Sequence, residues 1–113
     1  MLELLEYLDG KDRSPFEAWF NGLNAAAAAK VTAHLTRIEL GNLSNVGPVG
    51  GGVLEKKIDW GPGYRIYFGR DGNTLVILLG GSQKKDQQKS IKSAKLRWSD
   101  YKTRKKVKTH GTD

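Results

Sequence analysis

Gly61-Pro62-Gly63-Tyr64-Arg65-Ile66-Tyr67-Phe68 is the stretch whose reading decides the fold. Pro62 presets its own φ and Gly63 can take a positive one, so the pair marks a tight turn. Tyr64 to Phe68 are aromatic, β-branched or long, which suits a strand. Side chains alternate along a strand, so Tyr64, Ile66 and Phe68 share one face. Arg65 and Tyr67 project together from the other. A cation beside a phenol on a rigid strand makes an anion site, and phosphate is the anion that suits so basic a chain.

Working outward, Arg70-Asp71-Gly72-Asn73 supplies hairpin chemistry between this strand and the next, Thr74–Gly80. Val53–Trp60 reads as the strand before it, and Leu2–Leu8 as a first strand closed by Asp9-Gly10. Between them, Ser14-Pro15-Phe16-Glu17 carries a capping serine, a proline at the first helical position and the acid of a capping box. Phe16, Trp19, Phe20 and Leu23 recur at helical spacing as core residues. Asn24 caps a second helix that runs to Leu40 and ends at Gly41, burying Val31, Leu35 and Ile38. The glycine-rich residues 41–52 read as a loop. A last helix from about Asp86 to Lys102 shows Ile91, Ala94, Trp98 and Tyr101 on one side and Lys89, Lys92 and Lys102 around the rest. The expected fold is α+β, in the order β-α-α-β-β-β-α. Short connections after Trp60 predict an antiparallel meander, with helices on one face.

One domain of 113 residues accounts for the length. Residues 1–102 are expected to form it, followed by a basic, flexible tail over 103–113. The chain contains no cysteine, so disulfides and thiolate metal sites are excluded. The two histidines, His34 and His110, are poorly placed for a metal site, and His34 reads as structural. The N-terminal Met-Leu-Glu-Leu-Leu-Glu lacks the features of a signal peptide, and no apolar run approaches the roughly 20 residues that span a bilayer. A cytoplasmic protein is expected, with no membrane partner and no cofactor.

The formal charge of +7 is unevenly distributed. Residues 1–82 hold eight Lys/Arg against nine Asp/Glu, a net of −1, whereas residues 83–108 hold eleven against two, a net of +9. Such asymmetry points to a polyanionic partner. Gly50-Gly51-Gly52 lacks the Lys-Ser/Thr of a phosphate-binding loop, and no crossover follows that a dinucleotide fingerprint would need. A Ser-His-Asp arrangement cannot be assembled. Glu55 and Asp59 read as partners in cross-strand ion pairs.

A basic and phenolic constellation remains. Glu55 and Lys57 project from one face of their strand, Arg65 and Tyr67 from one face of the next, and Lys84 and Lys85 lie just past the last strand. If adjacent strands place these residues on one surface, they would form an electropositive patch that can bind RNA phosphates and promote attack by the RNA's own 2′-hydroxyl. The arginine would neutralise charge on the phosphorane, and a lysine crowded by cations could act as base. Arg65, Lys57, Lys84 and Tyr67 are the candidate catalytic residues. Lys56, Lys85, Lys89, Lys92 and Lys95 are the candidate RNA contacts, with no metal.

Blocks in a fixed order along nearly the whole chain carry a resemblance. They are Arg13-Ser-Pro-Phe-Glu-Ala-Trp-Phe20, Gly41-Asn-Leu43, Gly52-Val-Leu-Glu-Lys-Lys-Ile-Asp59 and Gly61–Phe68. Leu78-Leu-Gly-Gly81, Lys84-Lys85, Gln87-Gln88 and Ala94-Lys95 complete them. The sequence resembles the RelE/ParE superfamily of toxins from type II toxin–antitoxin systems, in particular HigB-like addiction-module killer proteins. The resemblance implies a β-α-α-β-β-β topology and an endonuclease that cuts mRNA in the ribosomal A site, neutralised by a helix-turn-helix antitoxin. It places Arg65 at the family's phosphate-binding arginine, Lys57 beside the acid Glu55, and Lys84 and Lys85 at the basic pair after the Gly-Gly turn. Tyr67 falls at an aromatic position of the strand. Asp86 and Ser90 stand where relatives often carry arginine and aspartate, and Lys56 where an apolar residue is usual. A ParE-like gyrase inhibitor and a non-catalytic RNA- or DNA-binding protein are the competing readings.

Overall fold

A computed structural model describes the backbone of residues 1–111 and the side chains through Lys105. Its elements are β1 (Glu3–Glu6), α1 (Pro15–Asn21), α2 (Ala25–Glu39), β2 (Val46–Gly50), β3 (Val53–Ile58), β4 (Tyr64–Asp71) and β5 (Leu75–Gln83). A 3-10 turn (Lys84–Asp86) leads into α3 (Gln87–Gly111). The fold is α+β. The five strands lie in the order β1-β5-β4-β3-β2.

The helix starts follow their caps. The Ser14 hydroxyl accepts from the Glu17 amide at 3.0 Å, with Pro15 in the first turn. The Asn24 side chain accepts from the Ala27 amide at 2.9 Å. Each satisfies a donor that the first turn leaves without a partner inside the helix.

The sheet is mixed, which corrects the expected antiparallel sheet. β2 to β5 form an antiparallel meander, but β1 pairs parallel with β5, Glu3 opposite Leu75 through Glu6 opposite Leu78. The physical reason is the route of the chain. α1 and α2 carry it from β1 to the far edge, and the meander returns strand by strand until β5 lies beside β1. β2 falls in the segment read as a loop. Pro48 lacks an amide hydrogen, which an edge strand tolerates, and the pairing with β3 slips between Pro48 and Gly50.

Two cores sandwich the sheet. Phe16, Val31 and Ile38 of α1 and α2 pack with Ile58, Tyr64, Ile66 and Phe68 on one face. Tyr7, Val53, Tyr67 and Leu79 pack with Ala94 and Trp98 of α3 on the other. The alternation of β4 is as its sequence requires. The face carrying Arg65 and Tyr67 is nevertheless covered, not free: Arg65 is 4% exposed and Tyr67 1%. α3 seats there because Gly69 has no side chain. A Cβ at that position would stand 2.6 Å from the Trp98 ring.

α3 continues past the expected end at Lys102, as helical backbone to Gly111. Arg104 pairs with Asp100 at 2.8 Å and lies over the Tyr7 ring, while Tyr101 donates to Asp71 at 2.7 Å. Of the tail expected over 103–113, the side chains after Lys105 and the last two residues lie outside the described residues.

Candidate functional site

Strand pairing brings the sequence-predicted residues together. Lys57 stands opposite Arg65 and Glu55 opposite Tyr67 across β3 and β4, and Ser82 of β5 stands opposite Arg65. Opposed residues in a ladder share a face, so one surface carries a carboxylate, two cations, a phenol and a serine hydroxyl. Lys84 closes one end. Its amide donates to the Gly63 carbonyl at 2.9 Å. A Cβ on Gly63 would stand 3.2 Å from the Lys84 Cβ and 4.0 Å from Arg65 Nη1, so both side chains border this glycine. Lys57 and Lys84 are exposed, and Arg65 lies between and beneath them.

Arg65 is held sparingly. Its Nη1 donates to the Tyr64 carbonyl at 3.1 Å and stands 4.0 Å from the exposed Asp59 carboxylate. Its Nε is buried with no partner among the described residues. A desolvated donor without an acceptor costs free energy that an incoming anion can recover.

Tyr67 shares its hydroxyl with the Ser82 hydroxyl at 3.1 Å. Burial is the main cause that pushes the phenol up to about 12; Glu55 adds to the rise, while Ser82 and Arg65 oppose it. The phenol is therefore protonated near neutrality, a donor and not a base. Glu55, 3% exposed, accepts from Gln87 Nε2 at 2.8 Å. It makes no ion pair among the described residues, contrary to its expected role in one.

Of the expected RNA contacts, Lys56 must be removed. It is 1% exposed and lies on the α1–α2 face, opposite the site, with its ammonium donating to the Ser44 carbonyl. Burial, then the charge of Arg37, lowers its pKa, so a depressed lysine does exist, but on the wrong face to serve as base. Lys85 and Lys89 are exposed and line a cleft beside Tyr67. Lys92 is exposed on α3, and Lys95 lies along Gly50 and Gly51 at the β2–β3 turn, away from that cleft.

Arg97 and Ser82 were not singled out from sequence. Arg97 lines the same cleft and donates to the Leu79 carbonyl at 3.1 Å. Lys89, Ser93 and Arg97 recur every fourth residue, the spacing of one helix face, and that signal could have grouped them.

Comparison with known proteins adds a relative. A Haemophilus influenzae protein described as uncharacterized is 43% identical over 82 residues, spanning 72% of this chain and 83% of that protein. The chain belongs to the family of that protein. No protein-family model matches the chain. Among the described residues, no group of acidic or histidine side chains is arranged to hold a metal ion, and no helix is long and apolar enough to cross a membrane.

Proposed function

We propose that this protein is a HigB-like toxin of the RelE/ParE superfamily, a metal-independent endoribonuclease that cuts mRNA on the ribosome. A helix-turn-helix antitoxin would neutralise it, and its place of action would be the cytoplasm. The observation that carries the reading is the buried Arg65 with its unpartnered Nε, flanked by exposed Lys57 and Lys84. The α+β fold, with α1 and α2 between β1 and a four-stranded meander and α3 last, is compatible with this reading.

In this reading a scissile phosphate is held by the Arg65 guanidinium, whose planar fork can give it two parallel hydrogen bonds, and Lys57 and Lys84 add charge. The RNA's 2′-hydroxyl attacks the phosphorus, and its proton passes to Glu55. The bond to the 5′-oxygen breaks, and Tyr67, which keeps its proton at neutral pH, supplies the proton that oxygen takes. The products are a 2′,3′-cyclic phosphate and a 5′-hydroxyl. No metal or redox partner is needed to balance the step.

The burial of Tyr67, 1% exposed, keeps its hydroxyl from a substrate and favours the second reading, a non-catalytic RNA-binding protein of the same fold. Incubating an mRNA with the purified chain, with and without translating ribosomes, and mapping new 5′ ends separates the two. Cuts that appear only with ribosomes support the nuclease, whereas binding without cuts supports the second reading.

A further inference from the structure

A cleft of about 610 Å³ opens beside the Arg65 cluster, between the end of α1, the end of β5 and the start of α3. Its two walls differ in chemistry. Trp19 and Leu23 of the α1 side are apolar, and Trp19 lies against Gly81, where any side chain would displace it. Lys85, Lys89 and Arg97 line it with cations, against the single carboxylate of Asp86. Tyr67 and Ser82 line its floor with their hydroxyls bonded to each other, and the less buried Ser90 and Ser93 line it as well.

Arg97 is the informative member. It is half-buried and spends one N–H on the Leu79 carbonyl, and no ion pair among the described residues engages it. The guanidinium reaches this place because Gly80 lacks a side chain; a Cβ there would lie 2.9 Å from Nη1. A half-buried guanidinium in no ion pair among the described residues, next to two lysines and several hydroxyls, suits the oxygens of a phosphate ester. An indole on the opposite wall suits a flat base, since stacking on an aromatic ring is worth about 1–3 kcal/mol per base.

We propose that this cleft binds one phosphorylated nucleoside, either a nucleotide unit of a single RNA strand or a free 5′-nucleotide. The assignment draws on the cleft alone and does not require that the Arg65 cluster cut RNA. It goes beyond the nuclease reading by giving the chain a second phosphate site, on α3.

The test is binding without ribosomes, followed by NMR on the isotope-labelled full chain. Adenosine 5′-monophosphate should shift the Trp19 indole, Ser93 and Arg97 signals, and adenosine and inorganic phosphate should each bind about tenfold more weakly. Arg97→Met should weaken nucleotide binding about tenfold. The double variant Lys85→Glu/Lys89→Glu, which alters only exposed side chains, should do the same, whereas Lys30→Ala, an exposed lysine on α2 outside the cleft, should not. A short single-stranded RNA that binds about tenfold more tightly than the mononucleotide identifies a strand as the ligand, and equal affinity identifies the free nucleotide. Signals that shift only outside the cleft, no binding of either probe, or equal affinity in wild type and both cleft variants would overturn the proposal. Loss of cleavage activity with nucleotide binding intact would count against the nuclease reading and leave the cleft standing.

Discussion

Replacing Tyr67 by phenylalanine should cost stability near neutrality and give the cost back in alkali. The substitution removes a hydroxyl bonded to Ser82 at 3.1 Å and leaves the Ser82 oxygen, 5% exposed, short of its partner. A buried hydrogen bond of this kind is worth about 1 kcal/mol net. Against that stands the proton. Burial raises the phenol from 10.0 to about 12, so the folded chain holds this proton more tightly than the unfolded chain does. That contribution, about 3 kcal/mol, is fully present below the unfolded pKa and is lost as pH rises through the folded one. At about pH 11 the unfolded phenol is roughly nine-tenths ionised and the folded one roughly one-tenth, so about 1.4 kcal/mol has gone. Tyr101, also raised to about 12, titrates in both proteins and cancels in the comparison. Urea unfolding followed by tryptophan fluorescence should therefore show wild type ahead by about 1 kcal/mol at about pH 8, with that lead erased by about pH 11. A difference between the two proteins that does not change with pH would refute the claim that burial holds this proton more tightly in the folded chain.

Three further outcomes follow from the same geometry. Lys56→Met should raise the thermal midpoint, because it removes an ammonium that burial disfavours, and should leave RNA affinity unchanged, because Lys56 lies on the α1–α2 face. Calorimetry and a filter-binding assay check the two halves. Gly81→Ala should destabilise by about 1–3 kcal/mol in chemical denaturation, since the new methyl group meets the Trp19 ring and a packed ring yields only at the expense of its neighbours. His34 should titrate below 6.5 by NMR, lowered first by burial and then by Lys56, Arg37 and Lys30. The folded chain resists its protonation, so this contribution to stability is complete above 6.5 and is lost as pH falls through the folded pKa.

Much of the site was legible because it depends on alternation. Tyr64 to Phe68 divide between two faces by position alone, and the same rule in Val53–Ile58 puts Glu55 and Lys57 on one side. That rule also places Lys56 with Leu54 and Ile58, so its burial was available from the sequence and was obscured by its charge. The caps at Ser14 and Asn24 were readable because they act within one turn. Long-range pairing was not: nothing in Glu3–Glu6 says that its neighbour is β5 or that the two run parallel. β2 was hidden by Pro48 and its glycines, which signal a loop unless the segment is known to lie at a sheet edge. The stripe Ile91, Ala94, Trp98 and Tyr101 announced that α3 packs, yet only the seat above Gly69 shows that it packs over the Arg65 face. Arg97 escaped notice for the same reason, since its role depends on which side of α3 meets the cleft.

The central claim is that Arg65 is the phosphate-binding centre of a ribosome-dependent nuclease, and Arg65→Lys tests it most directly. The variant keeps a positive charge at a buried position but loses the planar fork that grips two phosphate oxygens. Wild type, Arg65→Lys and Arg65→Ala, each first shown to be folded by circular dichroism, are added to a translating extract, and new mRNA 5′ ends are mapped. We predict cuts by wild type, a loss of about a hundredfold or more in both variants, and no cuts by any of the three without ribosomes. Equal cutting at the same sites by wild type and Arg65→Ala would contradict the account.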